Sequence, residues 1–326
     1  MSKSIQRIGI LTSGGDAPGM NAAIRAVVRT ADSLGIECVG IRRGYSGLIA
    51  ADMYPMHAKD VNGLAEQGGT VLYTARCPEF LTEAGLQRAA DNCKFMGIDG
   101  IVAIGGDGTF RGARDLSKYG VSVVCIPATI DNDIACTDYT IGYDTACNTA
   151  LESIDKLRDT MRSHERCSVV EVMGHRAGHL ALCVAMAAGA TAVLVPEKKY
   201  DFNKDIVCRI RAARLNGRTH FIIIVAEGAG SAFEISEEIK KETGIDTRVT
   251  VLGHVQRGGV PLLRDRVIAS RMGYEATKFL ADGKTNGVIC FDGMKYHGVD
   301  IDEALAMTKG LDEELYRILD TLMSGA

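Results

Sequence analysis

Short apolar runs alternate along this chain with longer stretches that mix apolar and polar residues. The runs Ile8–Leu11, Cys38–Ile41, Ile101–Ile104, Ser122–Ile126, Ser168–Val172 and Phe221–Ala226 predict strands. Phe221–Ala226 is apolar at every position, and a strand without a polar face is covered on both sides, as in parallel sheets. The mixed stretches Gly19–Leu34 and Asp144–Arg162 predict helices, with Asp144 or Thr145 as the N-cap of the second, and a further helix begins near Thr109. The longest apolar stretch, Leu180–Val195, is shorter than the roughly 20 residues that cross a membrane, and Gly189 and Thr191 interrupt it. It predicts a buried helix, Leu180–Ala188, and a buried strand, Ala192–Val195. Strand-helix alternation of this kind predicts an α/β architecture with helices on both faces of a parallel sheet.

The length, 326 residues, exceeds the roughly 250–300 at which a single core stops growing, so two domains are expected. No repeat, low-complexity tract or linker marks a boundary, which suggests two lobes with the chain crossing between them. With 46% hydrophobic residues the chain has enough apolar material to exclude disorder as its main state. A net charge of −4 argues against a general nucleic-acid or membrane-surface binder and leaves local basic sites for small anions open. The ten cysteines are scattered without a CxxC pair; Cys125 and Cys183 lie in apolar runs and read as small core residues. That usage suits a reduced, cytoplasmic protein. Met1–Arg7 leads into only four apolar residues, too few for a signal-peptide core.

Three loops follow predicted strands at the ends where α/β proteins place ligands. Thr12–Gly19 runs into a helix and reads either as an anion cradle or as a tight strand-to-helix turn. Gly105-Gly106-Asp107-Gly108-Thr109 allows close approach of a polyphosphate, with Asp107 as an oxygen ligand for Mg²⁺, or reads as a turn with an Asp cap. It is not a dinucleotide fingerprint, because Arg111 occupies the third glycine position, and Gly283-Lys284-Thr285 does not complete a Walker A loop, because Lys278 holds its first glycine position. Thr129-Ile130-Asp131-Asn132-Asp133 crowds carboxylates and a hydroxyl into one turn, suiting a metal or a general base, or else a turn that satisfies its own backbone. Arginine pairs at helical spacing, Arg25 with Arg29 and Arg158 with Arg162, could recognise phosphate or remain solvated. His175 and His179 are four apart but lack the acidic partner of a zinc site.

Taken together, Thr12–Arg29, Gly105–Thr109, Pro127–Gly142, Ser168–Gly174 and Thr250–Gly259 resemble the ATP-dependent 6-phosphofructokinases of bacterial type, from about Arg7 to Gly273. The resemblance implies two three-layer α/β lobes with the active site in a cleft between them. An ATP-binding lobe would comprise residues 1–141 and 256–306, and a fructose 6-phosphate lobe 142–255 and 307–326. It implies an ATP site of Gly15, Arg76, Cys77, Gly106, Asp107, Gly108 and Thr109, with Mg²⁺ on Asp107. Thr129, Ile130 and Asp131 would meet the sugar, with Thr129 and Asp131 in the catalytic set and Asp131 the base on the 1-hydroxyl. Met173, Gly174, His175, Glu227, His254, Val255, Gln256 and Arg257 would complete the sugar-phosphate pocket, and Arg166 and Arg248 would reach a neighbour's site, implying a cytoplasmic homotetramer. Effector arginines would be Arg25, Arg29, Arg158 and Arg218, while Ala58, Thr191 and Asn216 replace family contacts and leave the effector open. Gly108 and Ala128 stand where a pyrophosphate-dependent relative usually carries Asp and Lys, which favours ATP. His175, where the family has Arg, is the one feature that suggests a non-catalytic paralogue.

Overall fold

The structure, a computed structural model, describes residues 5–324. Residues 1–4, part of the Met1–Arg7 segment, and residues 325–326 lie outside the described residues. The elements in chain order are β1 Arg7–Thr12, α1 Met20–Ser33, β2 Glu37–Ile41, α2 Gly44–Ala50, β3 Met53–Met56, α3 Glu83–Phe95, β4 Gly100–Gly105, α4 Asp107–Ser117, β5 Ser122–Pro127 and α5 Tyr143–His164. They continue with β6 Cys167–Val172, α6 His179–Ala188, β7 Ala192–Leu194, α7 Cys208–Leu215, β8 Phe221–Ala226, α8 Ala232–Thr243, β9 Thr247–Val251, α9 Leu263–Ala281, β10 Gly287–Asp292, β11 Lys295–Asp300, α10 Ile301–Ala306 and α11 Glu313–Ser324.

Two compact units result. The first takes residues up to Thr129, Ile134–Thr145 and Arg257–Lys309; the second takes Ile130–Asp133, Ala146–Gln256 and the residues from Gly310 onward. The first contains a seven-stranded sheet in the order β11-β10-β5-β4-β1-β2-β3. Its inner strands are parallel, and β3 and β11 close the edges antiparallel. Ile8, Ile10, Ile101, Ile104, Val124 and Ile126 are fully buried, as strands covered on both faces require. Each such side chain contributes about 1.5–3 kcal/mol of burial, against which chain entropy is set. The second unit is built on a parallel four-stranded sheet, β7-β8-β6-β9, with Val169, Ile223, Val225, Ile210, Ile235 and Ile239 in its core.

Strand order locates the ligand crevices. In the first sheet the chain leaves β1 toward β2 and later returns to the other side of β1 with β4. That reversal leaves a crevice outside the carboxyl ends of β1 and β4, where the loops 13–19 and 105–106 emerge. In the second, β9 and β8 flank β6 on opposite sides, so the corresponding ends carry Met173–His175, Glu227 and Leu252–Gln256.

Some expectations need correction. Helix α4 begins at Asp107, two residues ahead of Thr109, so Asp107 and Gly108 lie in its first turn. Helix α5 begins at Tyr143, so neither Asp144 nor Thr145 caps it. The buried Asp265 of α9 takes over: its Oδ2 accepts the Thr145 N–H (2.9 Å) and its Oδ1 the Gly142 N–H (2.7 Å). Strand β7 stops at Leu194, and Cys183 is only half-buried, whereas Cys125 is fully buried. Among the described residues no helix is long and apolar enough to cross a membrane.

Candidate active site

In the first unit, the loop after β1 is held open by two left-handed glycines, Gly14 (φ +85°) and Gly19 (φ +108°). Thr109 Oγ1 donates to the Ser13 carbonyl (3.0 Å), tying this loop to the start of α4. Thr74 Oγ1 donates to the Gly14 carbonyl (2.6 Å), and Thr12 Oγ1 to the Tyr73 carbonyl (2.8 Å). These bonds bring the segment bearing exposed Arg76 and half-buried Cys77 to the same loop. The Arg257 guanidinium crosses it too: Nη1 donates to the Asp16 carbonyl (3.1 Å), and a Cβ at Gly15 would come within 2.5 Å of it. A side chain at Gly15 would therefore displace the guanidinium, the free end of a flexible side chain. Arg257, which the resemblance places in the sugar pocket, contacts the first glycine loop in this structure.

Gly106 and Gly108 differ from Gly15. A Cβ on Gly108 would meet nothing within 4 Å, and one on Gly106 only the Thr129 Cβ at 3.9 Å. The fold leaves that space clear without requiring glycine to fill it. Asp107, half-exposed at the α4 N-terminus, pairs through Oδ2 with Arg111 Nε at 2.9 Å. An exposed carboxylate beside open glycines fits Mg²⁺, which keeps several waters and is bound largely through substrate phosphates. Among the described residues no group of three or more His, Cys, Asp or Glu forms a self-contained metal cage.

Beyond β5, Thr129 accepts through its carbonyl from Thr140 Oγ1 (2.6 Å). Ile130, Asp131 and Asn132 are buried, and Asn132 adopts a left-handed conformation (φ +51°) that turns the chain sharply just past Asp131.

In the second unit, the loops at the carboxyl ends of β6, β8 and β9 interlock. Gln256, fully buried, accepts the Met173 N–H through Oε1 (2.9 Å), and Glu227 Oε1 accepts the His175 N–H (2.6 Å). A Cβ at Gly228 would lie 2.6 Å from the His175 carbonyl, so close approach requires glycine there. His254 and Val255 are exposed on the 3₁₀ turn Gly253–Arg257. Gly174–Ala177 is a turn closed by the Ala177 N–H to the Gly174 carbonyl (2.9 Å), with His175 left-handed at φ +55°. An extended chain here would point His175 and Arg176 to opposite faces; the turn removes that expectation. His175 is exposed in the turn and His179 is buried at the start of α6, so the two do not share a helix face.

Arg166 and Arg248 lie at the opposite, amino ends of β6 and β9, where both pair with Asp246 Oδ2 (2.6 and 3.1 Å). The six residues of β6, at about 3.3 Å each, separate them by about 20 Å from Met173 and His175. At the same amino ends, a cavity of about 320 Å³ is lined by Arg158, Arg162, Ala188, Gly189, Thr191, Arg218, His220 and Ile222. Burial, with Arg162, Arg158 and Arg218, holds His220 below its ordinary value of 6.5. His220 was missed from the sequence; its signal is the Arg218-x-His220 string just before a buried strand. Arg25 and Arg29 lie on α1 of the first unit, where Arg29 Nη2 donates to Asn62 Oδ1 (2.6 Å).

The phosphofructokinase family model matches residues 7–280. The chain belongs to the phosphofructokinase family. It is 52% identical over 319 residues to an ATP-dependent 6-phosphofructokinase of Clostridium botulinum, covering 98% of this chain and 99% of that one. A Clostridium acetobutylicum relative of the same description is 53% identical over the same coverage. Among solved phosphofructokinases, the Saccharomyces cerevisiae structure matches with a TM-score of 0.87 at 34% identity, over 98% of this chain and 48% of the yeast chain. A pyrophosphate-dependent phosphofructokinase from Marinobacter aquaeolei matches with a TM-score of 0.83 over 98% of this chain and 92% of that one. At 19% identity that likeness is one of fold alone.

Proposed function

We propose that this phosphofructokinase transfers the γ-phosphoryl group of ATP to the 1-hydroxyl of fructose 6-phosphate, giving fructose 1,6-bisphosphate and ADP. The near full-length identity to ATP-dependent relatives carries the reading. The nucleotide would lie on the first unit, its phosphates against the glycine loops and the α4 N-terminus, where backbone N–H groups and the helix dipole favour anions. Gly15, Arg76, Cys77, Gly106, Gly108 and Thr109 would line it, and Asp107 would hold Mg²⁺. Bound there with ATP, the ion would supply positive charge to offset that building on the transferring phosphoryl oxygens. The sugar phosphate would be held through Met173, Gly174, His175, Glu227, His254, Val255, Gln256 and Arg257, with Thr129, Ile130 and Asp131 at its reacting end. Asp131 accepts the 1-hydroxyl proton as the new O–P bond forms and the bond to the bridging oxygen of ADP breaks.

Gly108 supports ATP over pyrophosphate as donor. A side chain at this position would meet nothing within 4 Å, so the space beside Gly108 is open to a nucleotide, and a carboxylate there would repel the α-phosphate. Arg166 and Arg248 cannot reach their own carboxyl-end pocket across the length of β6, which supports their donation to a neighbouring subunit. The assembly in this reading is a homotetramer, working in the cytoplasm. Initial rates with fructose 6-phosphate, Mg²⁺ and either ATP or pyrophosphate test the donor assignment: ATP is expected to support turnover and pyrophosphate not. Equal or faster turnover with pyrophosphate contradicts it.

A further inference from the structure

Asp265, on α9, is fully buried, and four donors converge on its carboxylate. Oδ1 accepts the Tyr139 hydroxyl (2.7 Å) and the Gly142 N–H (2.7 Å). Oδ2 accepts the Thr145 N–H (2.9 Å) and the Thr145 hydroxyl. The donors are themselves held: Thr145 Oγ1 accepts the Leu262 N–H (3.0 Å), and the Tyr139 hydroxyl accepts the Asp144 N–H (3.2 Å). A carboxylate away from water is costly unless its lone pairs are filled, and here they are. Burial pushes the Asp265 carboxyl up, and the bonds from Thr145, Tyr139 and Gly142 oppose that push.

Capping α5 requires only the bonds to Thr145. Those to Tyr139 and Gly142 reach back into the segment 139–142, which braces the turn bearing Asp131. Within that segment Thr140 Oγ1 donates to the Thr129 carbonyl (2.6 Å), the Ile141 N–H donates to the Pro127 carbonyl (3.0 Å), and Ile141 forms an isolated parallel bridge with Ala128. Asp131 follows Thr129 by two residues. The segment also packs on the first glycine loop. A Cβ at Gly142 would lie 2.7 Å from the Ala17 Cβ, and one at Gly19 would lie 2.7 Å from Ile141 Cγ2 and 3.5 Å from the Asp265 Cβ.

We propose that Asp265 is a positioning residue for phosphoryl transfer: it fixes the segment 139–142, Thr140 passes that placement to the Thr129 carbonyl, and the turn then holds Asp131 toward the 1-hydroxyl. The inference rests on the reading of Asp131 as the base. The donor set explains why a carboxylate stands at this position. Each Asp265 oxygen faces a backbone N–H, Gly142 on one side and Thr145 on the other, and neither can rotate away. An asparagine amide, in either orientation, would set its NH₂ against one of them. Asp265→Asn therefore keeps the volume and loses the placement.

The test is steady-state kinetics of the full-length enzyme carrying Asp265→Asn, Thr140→Val or Thr140→Ser, each alone and combined with Asp131→Ser, with thermal midpoints measured alongside. Asp265→Asn and Thr140→Val are each expected to lower kcat about 10–100-fold, the scale set by small misplacement of a reacting group, with KM for fructose 6-phosphate little changed. Thr140→Ser, which keeps the hydroxyl, retains kcat within about twofold whatever its thermal midpoint. Combined with Asp131→Ser, Asp265→Asn and Thr140→Val cost less than about twofold further, because the group they place is gone. Losses that persist in full beside Asp131→Ser, a raised KM with kcat unchanged, or a wild-type kcat in Thr140→Val would each overturn the inference. If Asp265→Asn does not fold, the Thr140 variants decide by the same criteria. A wild-type kcat in Asp131→Ser alone is a separate result: it overturns the base assignment, and the inference with it.

Discussion

His175 shows how one residue's backbone can alter the expectation for its neighbour. Its left-handed turn, with the N–H anchored on Glu227, presents His175 and exposed Arg176 from one tight reversal. If His175 occupies the position of a family arginine, it offers one donor where guanidinium offers a charged planar fork. His175→Arg is expected to raise kcat/KM for fructose 6-phosphate about tenfold, the value of one added charge-assisted hydrogen bond. No gain in steady-state kinetics would indicate that Arg176 already supplies that charge. Residue identity was legible in the sequence where a string carried it, as in Gly-Gly-Asp-Gly-Thr. It was not legible for the bond from Arg257 to the Asp16 carbonyl, because that partner is 241 residues away along the chain.

Elements were legible in proportion to their burial. Phe221–Ala226 matched its predicted limits because every side chain in it is covered. Strand β11, Lys295–Asp300, has only exposed and half-buried positions and carries no apolar signal. The start of α5 was misplaced because its cap is remote. Asp265 also accepts from the Tyr139 hydroxyl (2.7 Å), and only the folded chain brings α9 to that helix end. At the amino end of the second sheet, His220 makes the arginine cavity testable. Its folded value lies below 6.5, so the folded state takes up its proton later than the unfolded chain. Its contribution to stability is intact above pH 6.5 and is lost as pH falls from there to the depressed folded value. An anion among Arg158, Arg162 and Arg218 offsets their repulsion, so inorganic phosphate is expected to raise the His220 value and to bind more tightly as pH falls. An NMR titration of the His220 ring with and without phosphate checks this; superimposable curves contradict it.

For the whole molecule, the informative fact is that Arg166 and Arg248 are separated from Met173, His175 and Glu227 by the length of a strand. Sequence placed the arginines in the sugar-phosphate site by resemblance, and strand direction supplies the reason they would serve a neighbour. Arg248→Ala and Asp131→Ser variants, each impaired alone, are then expected to regain activity when dissociated together and reassembled, because hybrids restore some complete sites. Recovery is read as rate at subsaturating fructose 6-phosphate; a mixture no faster than the average of its parents contradicts the shared site. The division into lobes left no mark in composition, since the chain passes between units near residues 129, 134, 145, 257 and 309 without a linker sequence.

The central claim is that Asp131 acts as the base in direct transfer from ATP to the sugar's 1-hydroxyl. Its most direct test follows γ-labelled phosphate from ATP into fructose 1,6-bisphosphate in single turnovers of the wild type and of Asp131→Ser at saturating substrates. The account predicts label on the C1 oxygen, and a transfer rate lower by about 10²–10⁴-fold in the variant with little change in sugar affinity. Label appearing only as inorganic phosphate, or a variant that keeps the wild-type transfer rate, would contradict it.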